Sequence, residues 1–127
     1  MEQASELDRP LRGKRILVAD DEFLIAVLLE ETLIGAGAEI VSAATLAVAL
    51  RSAKAELLSA AVLDVRLIQE TTEAVADILT ARGVPFLFYS GQALPERIRE
   101  RHPGAKVLMK PTRLHEIIQA LVELTSH

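Results

Sequence analysis

The sequence predicts an α/β domain in which a parallel sheet is covered by helices on both faces, and three features point to it. Five short apolar runs alternate with segments of helical period, the runs are apolar on consecutive residues, and glycines or prolines stand at most junctions. Parallel neighbours need a crossover connection, which a helix supplies, and a strand covered on both faces has no wet side to alternate with.

Arg15-Ile-Leu-Val-Ala19 is the first strand, and Glu22 to Leu33 follows as a helix with Glu30 and Glu31 on its wet side. Gly35-Ala-Gly37 stops that helix; a dinucleotide fingerprint would instead follow a strand. Glu39-Ile-Val-Ser42 is the second strand, read as a sheet edge, and Thr45 to Ala55 is the second helix with Thr45 as its N-cap. Ala60-Ala-Val-Leu63 is the third strand, and Thr72 to Arg82 is the third helix, ended by Gly83. Pro85-Phe-Leu-Phe-Tyr89 is the fourth strand, broken by Gly91. Pro95 suits the first turn of a short charged helix that Pro103-Gly104 ends. Lys106-Val-Leu-Met109 is the fifth strand, and Thr112 is expected to cap an amphipathic helix running to about Leu124. Residues 1–13, with mixed charge, one proline and no period, are expected to form a mobile arm, and 14–127 the folded domain.

A length of 127 residues suits one domain. The absence of cysteine excludes a disulfide scaffold, a thiolate metal site and a thiol nucleophile. No apolar run reaches the roughly 18 residues of a membrane span, and the N-terminus is no signal peptide, so no membrane partner and a cytoplasmic address are expected. Eighteen acidic side chains against 14 basic ones, a formal charge of −4, argue against broad nucleic-acid binding. Partners should be proteins or small anions.

Polar residues interrupt the apolar runs at their carboxyl ends. Asp20-Asp21-Glu22 closes the first strand, Asp64 the third, Ser90 the fourth and Lys110-Pro111 the fifth. In an open α/β sheet these ends share one edge, where ligands bind. Taken singly, each has a plain reading: either Asp of the pair as a helix cap, Asp64 and Ser90-Gly91 as turn residues, Lys110 as a solvated lysine. Taken together they do not, because clustered carboxylates repel one another unless a cation compensates. Hard oxygens without His or Cys nearby point to Mg²⁺, which takes one or two protein carboxylates, waters and a phosphoryl oxygen. A remaining Asp can be a nucleophile forming an aspartyl phosphate, with Lys110 and Ser90 binding phosphoryl oxygens.

This ordered set, an acidic pair after strand 1, Asp after strand 3, Ser or Thr after strand 4 and Lys-Pro after strand 5, resembles the receiver domain of two-component response regulators over about residues 14–124. The resemblance implies a flavodoxin-like (βα)5 sheet of order 2-1-3-4-5. It implies Asp64 as phosphoacceptor, Asp21 and Asp64 as Mg²⁺ ligands with Asp20 acting mainly through water, and the main-chain carbonyl of Arg66 completing the site. Lys110 would hold the phosphoryl group, Ser90 would swing toward it, and the Lys110-Pro111 bond would be cis. Arg66 and Gln92 occupy the positions that tune phosphoryl hydrolysis in the family.

Departures concern the switch. Receivers generally carry an aromatic three residues before the lysine, and Val107 stands there. The stretch Phe88-Tyr-Ser-Gly-Gln92 resembles a class of single-domain receivers with a Phe-Ala-Thr-Gly-aromatic motif, Phe88, Ser90 and Gly91 matching, Tyr89 and Gln92 not. Two readings of Tyr89 stand: part of the signalling surface, or a half-buried strand-end side chain. The loop Val65–Thr72 has neither proline nor glycine and is expected to be mobile. By resemblance the chain is a stand-alone response regulator, not a turnover enzyme. It takes a phosphoryl group from a sensor histidine kinase and then either switches binding to a downstream protein or drains phosphate. In the family helix 4, strand 5 and helix 5 form the partner surface, which also leaves a homodimer open. Two alternatives stand beside this reading: a Mg²⁺-dependent aspartyl-phosphate phosphohydrolase, whose pattern has a second Asp where Arg66 stands, and a pseudo-receiver binding module, against which the five site residues speak and for which Val107 does.

Overall fold

The computed structural model describes residues 9–126. In chain order these form β1 (Arg15–Ala19), α1 (Phe23–Gly35), β2 (Glu39–Ala43), α2 (Leu46–Ala55), β3 (Ala60–Leu63), β4 (Arg66–Leu67), β5 (Glu70–Thr71), α3 (Glu73–Ala81), β6 (Phe86–Ser90), α4 (Glu96–Arg101), β7 (Lys106–Met109) and α5 (Leu114–Leu124). The main sheet has the order β2-β1-β3-β6-β7 with every pair parallel. Setting aside the small β4-β5 hairpin, this is the expected 2-1-3-4-5, and β2 is an edge as expected.

Strand residues two apart point to the same face, and the two faces build two cores. Leu17, Ala61, Leu63 and Phe88 pack with Ala49 and Ala53 of α2, Val75, Ala76 and Leu79 of α3 and Ile98 of α4. Ile16, Val18, Val62, Leu87 and Tyr89 pack with Leu29 and Leu33 of α1 and Ile117 and Leu121 of α5. Each fully buried Leu, Ile or Phe contributes about 2–3 kcal/mol. These layers hold rigid the sheet edge at which β1, β3, β6 and β7 end. α1 is apolar all round: Leu29 and Leu33 are buried, while Phe23, Leu24, Leu28 and Ile34 are exposed beside Glu31.

The structure departs from the sequence expectations in four places. Residues 1–8 of the expected arm lie outside the described residues, but residues 10–13 form a turn rather than an arm. Leu11 is buried in the α1/α5 core, its N–H donates to the Ala36 carbonyl at 2.9 Å, and a Cβ on Gly37 (φ +102°) would lie 2.9 Å from the Arg12 nitrogen. The expected mobile loop after Asp64 is the ordered antiparallel hairpin β4-β5, anchored by buried Val65 and Leu67. Thr112 does not cap α5: Arg113 takes the N-cap position, and the Thr112 hydroxyl donates to the Met109 carbonyl. Pro95 is likewise the N-cap of α4, one residue before its first turn. Thr45 caps α2 as expected, accepting from the Val48 N–H at 3.2 Å.

Candidate functional site

Asp20 leaves β1 with its N–H bonded to the Ala43 carbonyl, and Asp64 leaves β3 with its N–H bonded to the Ala19 carbonyl. The sheet ladder therefore fixes both backbones beyond the last strand residue, and both side chains are buried. The Asp20 carboxylate accepts the Glu22 N–H at 2.9 Å, and the Asp21 carboxylate accepts the Ile68 N–H from the hairpin turn at 2.7 Å. So neither aspartate caps α1; each is turned toward the sheet edge. One carboxylate oxygen from each of Asp20, Asp21 and Asp64 lies within 4.8 Å of the others.

Lys110 reaches this cluster from the end of β7, where its N–H donates to the Ser90 carbonyl at 2.8 Å. Its ammonium donates to Asp20 at 2.9 Å, Glu22 at 2.6 Å and Asp64 at 3.1 Å, and its side chain is 9% exposed. The solvated-lysine reading is therefore overturned. The peptide bond between Lys110 and Pro111 is cis, as expected. The Tyr89 ring faces the ammonium at 5.4 Å, within cation–π range.

Burial pushes the Asp20 carboxyl above its ordinary range, and the Glu22 N–H and the Lys110 ammonium only partly offset it. Burial also works against the Lys110 charge, but its hydrogen bonds to Glu22, Asp20 and Asp64 outweigh that and raise its pKa. Asp20, Glu22 and Asp64 thus share a single ammonium, with Asp21 beside them. The three hard oxygens of Asp20, Asp21 and Asp64 fit Mg²⁺ in chemistry and spacing.

The cluster opens into a cleft of about 330 Å³ lined by Asp21, Glu22, Asp64, Arg66, Ser90 and Gln92, among others. A second cleft, of about 390 Å³, lies at the amino-terminal ends of β6 and β7; Val84, Phe86 and Leu124 contribute its apolar walls, and no acid lines it.

No protein-family model and no curated protein matches the sequence. Solved structures do match. A response regulator receiver protein from Sinorhizobium medicae superposes with a TM-score of 0.80 at 26% identity, covering 91% of this chain and 97% of that one. The non-phosphorylated HemR receiver domain from Leptospira biflexa gives a TM-score of 0.78 at 28% identity, covering 91% and 96%. The fold is that of a response regulator receiver domain. A third relative in shape, at 24% identity and TM-score 0.78 over 91% of this chain and 99% of its own, is the receiver domain of a sensor histidine kinase of Pseudomonas aeruginosa with magnesium coordinated in the active-site cleft.

On this receiver fold Asp20, Asp21, Asp64 and Lys110 come together, and Ser90 lines the same cleft with its hydroxyl oxygen accepting the Gln92 N–H at 3.2 Å. Arg66 and Gln92 are exposed on the cleft wall. Tyr89 is 5% exposed, so of its two readings the packed side chain, not the surface one, agrees with its burial. Val107 is half-buried against the α2/α3/α4 core. Two participants escaped the sequence analysis. Glu22 bonds Lys110 although it reads as an ordinary first-turn acid. Thr72, fully buried, donates its hydroxyl to the Asp64 carbonyl at 2.6 Å and the Val65 carbonyl at 3.2 Å. A helix-start threonine carries no signal for that role.

Proposed function

We propose that this chain is a phosphoacceptor response regulator in which Asp64 takes a phosphoryl group from a sensor histidine kinase. The observation that carries the proposal is the convergence of Asp20, Asp21 and Asp64 within 4.8 Å, with Lys110 bridging Asp20 and Asp64. A carboxylate oxygen of Asp64 attacks the phosphorus of the kinase phosphohistidine. The new O–P bond forms as the P–N bond breaks, its electron pair returns to the imidazole nitrogen, and the ring is left neutral or takes a proton from solvent. Asp20, Asp21, Asp64 and the main-chain carbonyl of Arg66 would hold Mg²⁺, Asp20 mainly through water. When bound the ion neutralises charge on the phosphoryl oxygens. Lys110 binds one phosphoryl oxygen as a point charge, and Ser90 turns its hydroxyl to another.

Arg66 and Gln92, on the cleft wall, set how readily water reaches the acyl phosphate. The acyl phosphate carries nearly two negative charges where the carboxylate carried one, and this change reorganises the segment after β6. The readout surface is α4, β7 and α5, offered to a downstream protein or a second copy, with Val107 where receivers generally carry an aromatic. A cytoplasmic setting follows from a kinase donor, and no described helix is long and apolar enough to cross a membrane. Support for the ion comes from the magnesium described in the cleft of the Pseudomonas aeruginosa receiver and from the donor set itself.

Incubation with Mg²⁺ and a small acyl phosphate should add one phosphoryl mass to the intact protein, and Asp64→Asn should abolish the gain. A wild-type chain that stays at its unmodified mass in that reaction refutes the proposal.

A further inference from the structure

The three N–H bonds of the Lys110 ammonium are all engaged, by Asp20, Glu22 and Asp64, and an ammonium has no fourth to offer. A phosphoryl oxygen on Asp64 can be bound only if one carboxylate gives up its place. The three differ sharply in what release costs. The side chains of Asp20 and Asp64 are 3% and 10% exposed, so an oxygen released there loses its partner in a water-poor site. The Glu22 side chain is 56% exposed and passes to water on release, yet its bond is the shortest of the three at 2.6 Å. Glu22 also sits on the wall of the cleft that a phosphoryl group must enter.

The geometry points to Glu22 as a displaceable counter-ion: it holds the Lys110 ammonium toward the cleft mouth in the resting protein and competes with the phosphoryl group for it. This role rests on the phosphoacceptor assignment and extends it, making Glu22 a positioning residue that acts through Lys110. Competition of this kind lowers both the affinity for a phosphoryl group and the rate of phosphorylation at limiting donor. A half-exposed ion pair changes such quantities by about three- to fivefold. The neighbouring aspartates differ in kind, since losing them removes metal ligation.

The test compares wild type, Glu22→Gln, Glu22→Asp and Glu70→Gln at saturating Mg²⁺. Affinity for beryllofluoride is read by NMR titration, and the phosphorylation rate with a small acyl phosphate by intact mass. Glu22→Gln is expected to bind beryllofluoride about three- to fivefold tighter and to be phosphorylated faster by a similar factor, with Glu22→Asp lying between it and wild type. Glu70, an exposed acid of β5 with no contact to Lys110, controls for the loss of one negative charge near the cleft. An equal gain in Glu70→Gln overturns the counter-ion role, as does wild-type behaviour of Glu22→Gln. Failure of the wild type to bind beryllofluoride or gain phosphoryl mass overturns the phosphoacceptor assignment itself and the counter-ion role with it.

Discussion

Thr72→Val tests how the backbone at Asp64 is held. The Thr72 side chain is fully buried, and its hydroxyl is shared between the Asp64 carbonyl at 2.6 Å and the Val65 carbonyl at 3.2 Å. The Thr72 N–H also donates to the Val65 carbonyl at 2.9 Å, so that oxygen keeps a partner in the variant. The Asp64 carbonyl loses a short bond. Valine matches threonine in shape, so no cavity offsets or adds to the loss, and the cost is that of an under-satisfied buried carbonyl, about 1–3 kcal/mol. For a chain of 127 residues the unfolding entropy is about 0.27 kcal/mol/K, so a mid-range loss of about 2 kcal/mol lowers Tm by about 7 °C. Calorimetry and urea unfolding should agree on this, and Thr72→Ser, which keeps the hydroxyl, should recover most of it. Because the lost bond is to Asp64 itself, Mg²⁺ affinity should fall in Thr72→Val more than in Thr72→Ser. A Thr72→Val variant within 0.5 kcal/mol of wild type would refute the reasoning, as would Thr72→Ser behaving like Thr72→Val.

Four further outcomes follow from the same structure. Asp20→Asn should raise Tm at neutral pH without metal. The folded-state pKa of Asp20 lies above 3.8, so its contribution to stability is present below that value and lost as pH rises through the folded pKa; the gap between variant and wild type should therefore close on acidification. The same variant should bind Mg²⁺ about 10- to 100-fold more weakly by calorimetry, and wild-type affinity in Asp20→Asn removes Asp20 from the site. Between α3 and α4, Arg97→Ala removes a fully exposed guanidinium from Glu73 and should leave the urea midpoint at its wild-type value. Asp77→Ala should cost about 1–2 kcal/mol in urea unfolding, because it strips the acceptor from the largely buried His102 ring, 2.9 Å away; equal costs for the two variants contradict this. Ile68→Asn should stabilise by about 1 kcal/mol in the same assay, since Ile68 holds φ +63° while 69% exposed; a loss of stability would show that the left-handed turn is unstrained.

The main sheet was legible because covered parallel strands leave a simple trace. Ile16–Ala19, Ala60–Leu63 and Leu87–Ser90 are buried on consecutive residues, and no helix of this size buries every side chain in a row. The site was legible for a related reason. Asp20, Asp64 and Ser90 interrupt those runs at one end each, and a parallel sheet turns that order in sequence into proximity in space. The β4-β5 hairpin was not legible. Its strands are two residues long, and its turn carries no Gly or Asn at the left-handed position, where Ile68 stands instead. The Asp21 carboxylate accepting the Ile68 N–H supplies from β1 what a turn residue supplies locally, and no pattern within residues 65–72 records it. Thr112 also failed as a cap. The helix begins one residue later, with Arg113 at the N-cap, and the Thr112 hydroxyl donates back to the Met109 carbonyl at the end of β7.

Stability and chemistry occupy different parts of this molecule. The two apolar cores lie on the sheet faces and contain no carboxylate, whereas the sheet edge gathers Asp20, Asp21, Glu22 and Asp64 around one lysine. An edge selected for stability alone would need one acid for that lysine, since each further carboxylate adds repulsion that only solvent or a cation relieves. The excess is also unevenly placed. Asp20 and Asp64 are buried where repulsion is strong, while Asp21 and Glu22 are exposed where water screens it. Asp20, Asp21 and Asp64 would hold a divalent cation between them, and its charge would relieve the repulsion most at the buried pair, where water screens least. With the buried pair so compensated, the exposed Glu22 would remain the contact that an anion in the cleft has to displace from Lys110.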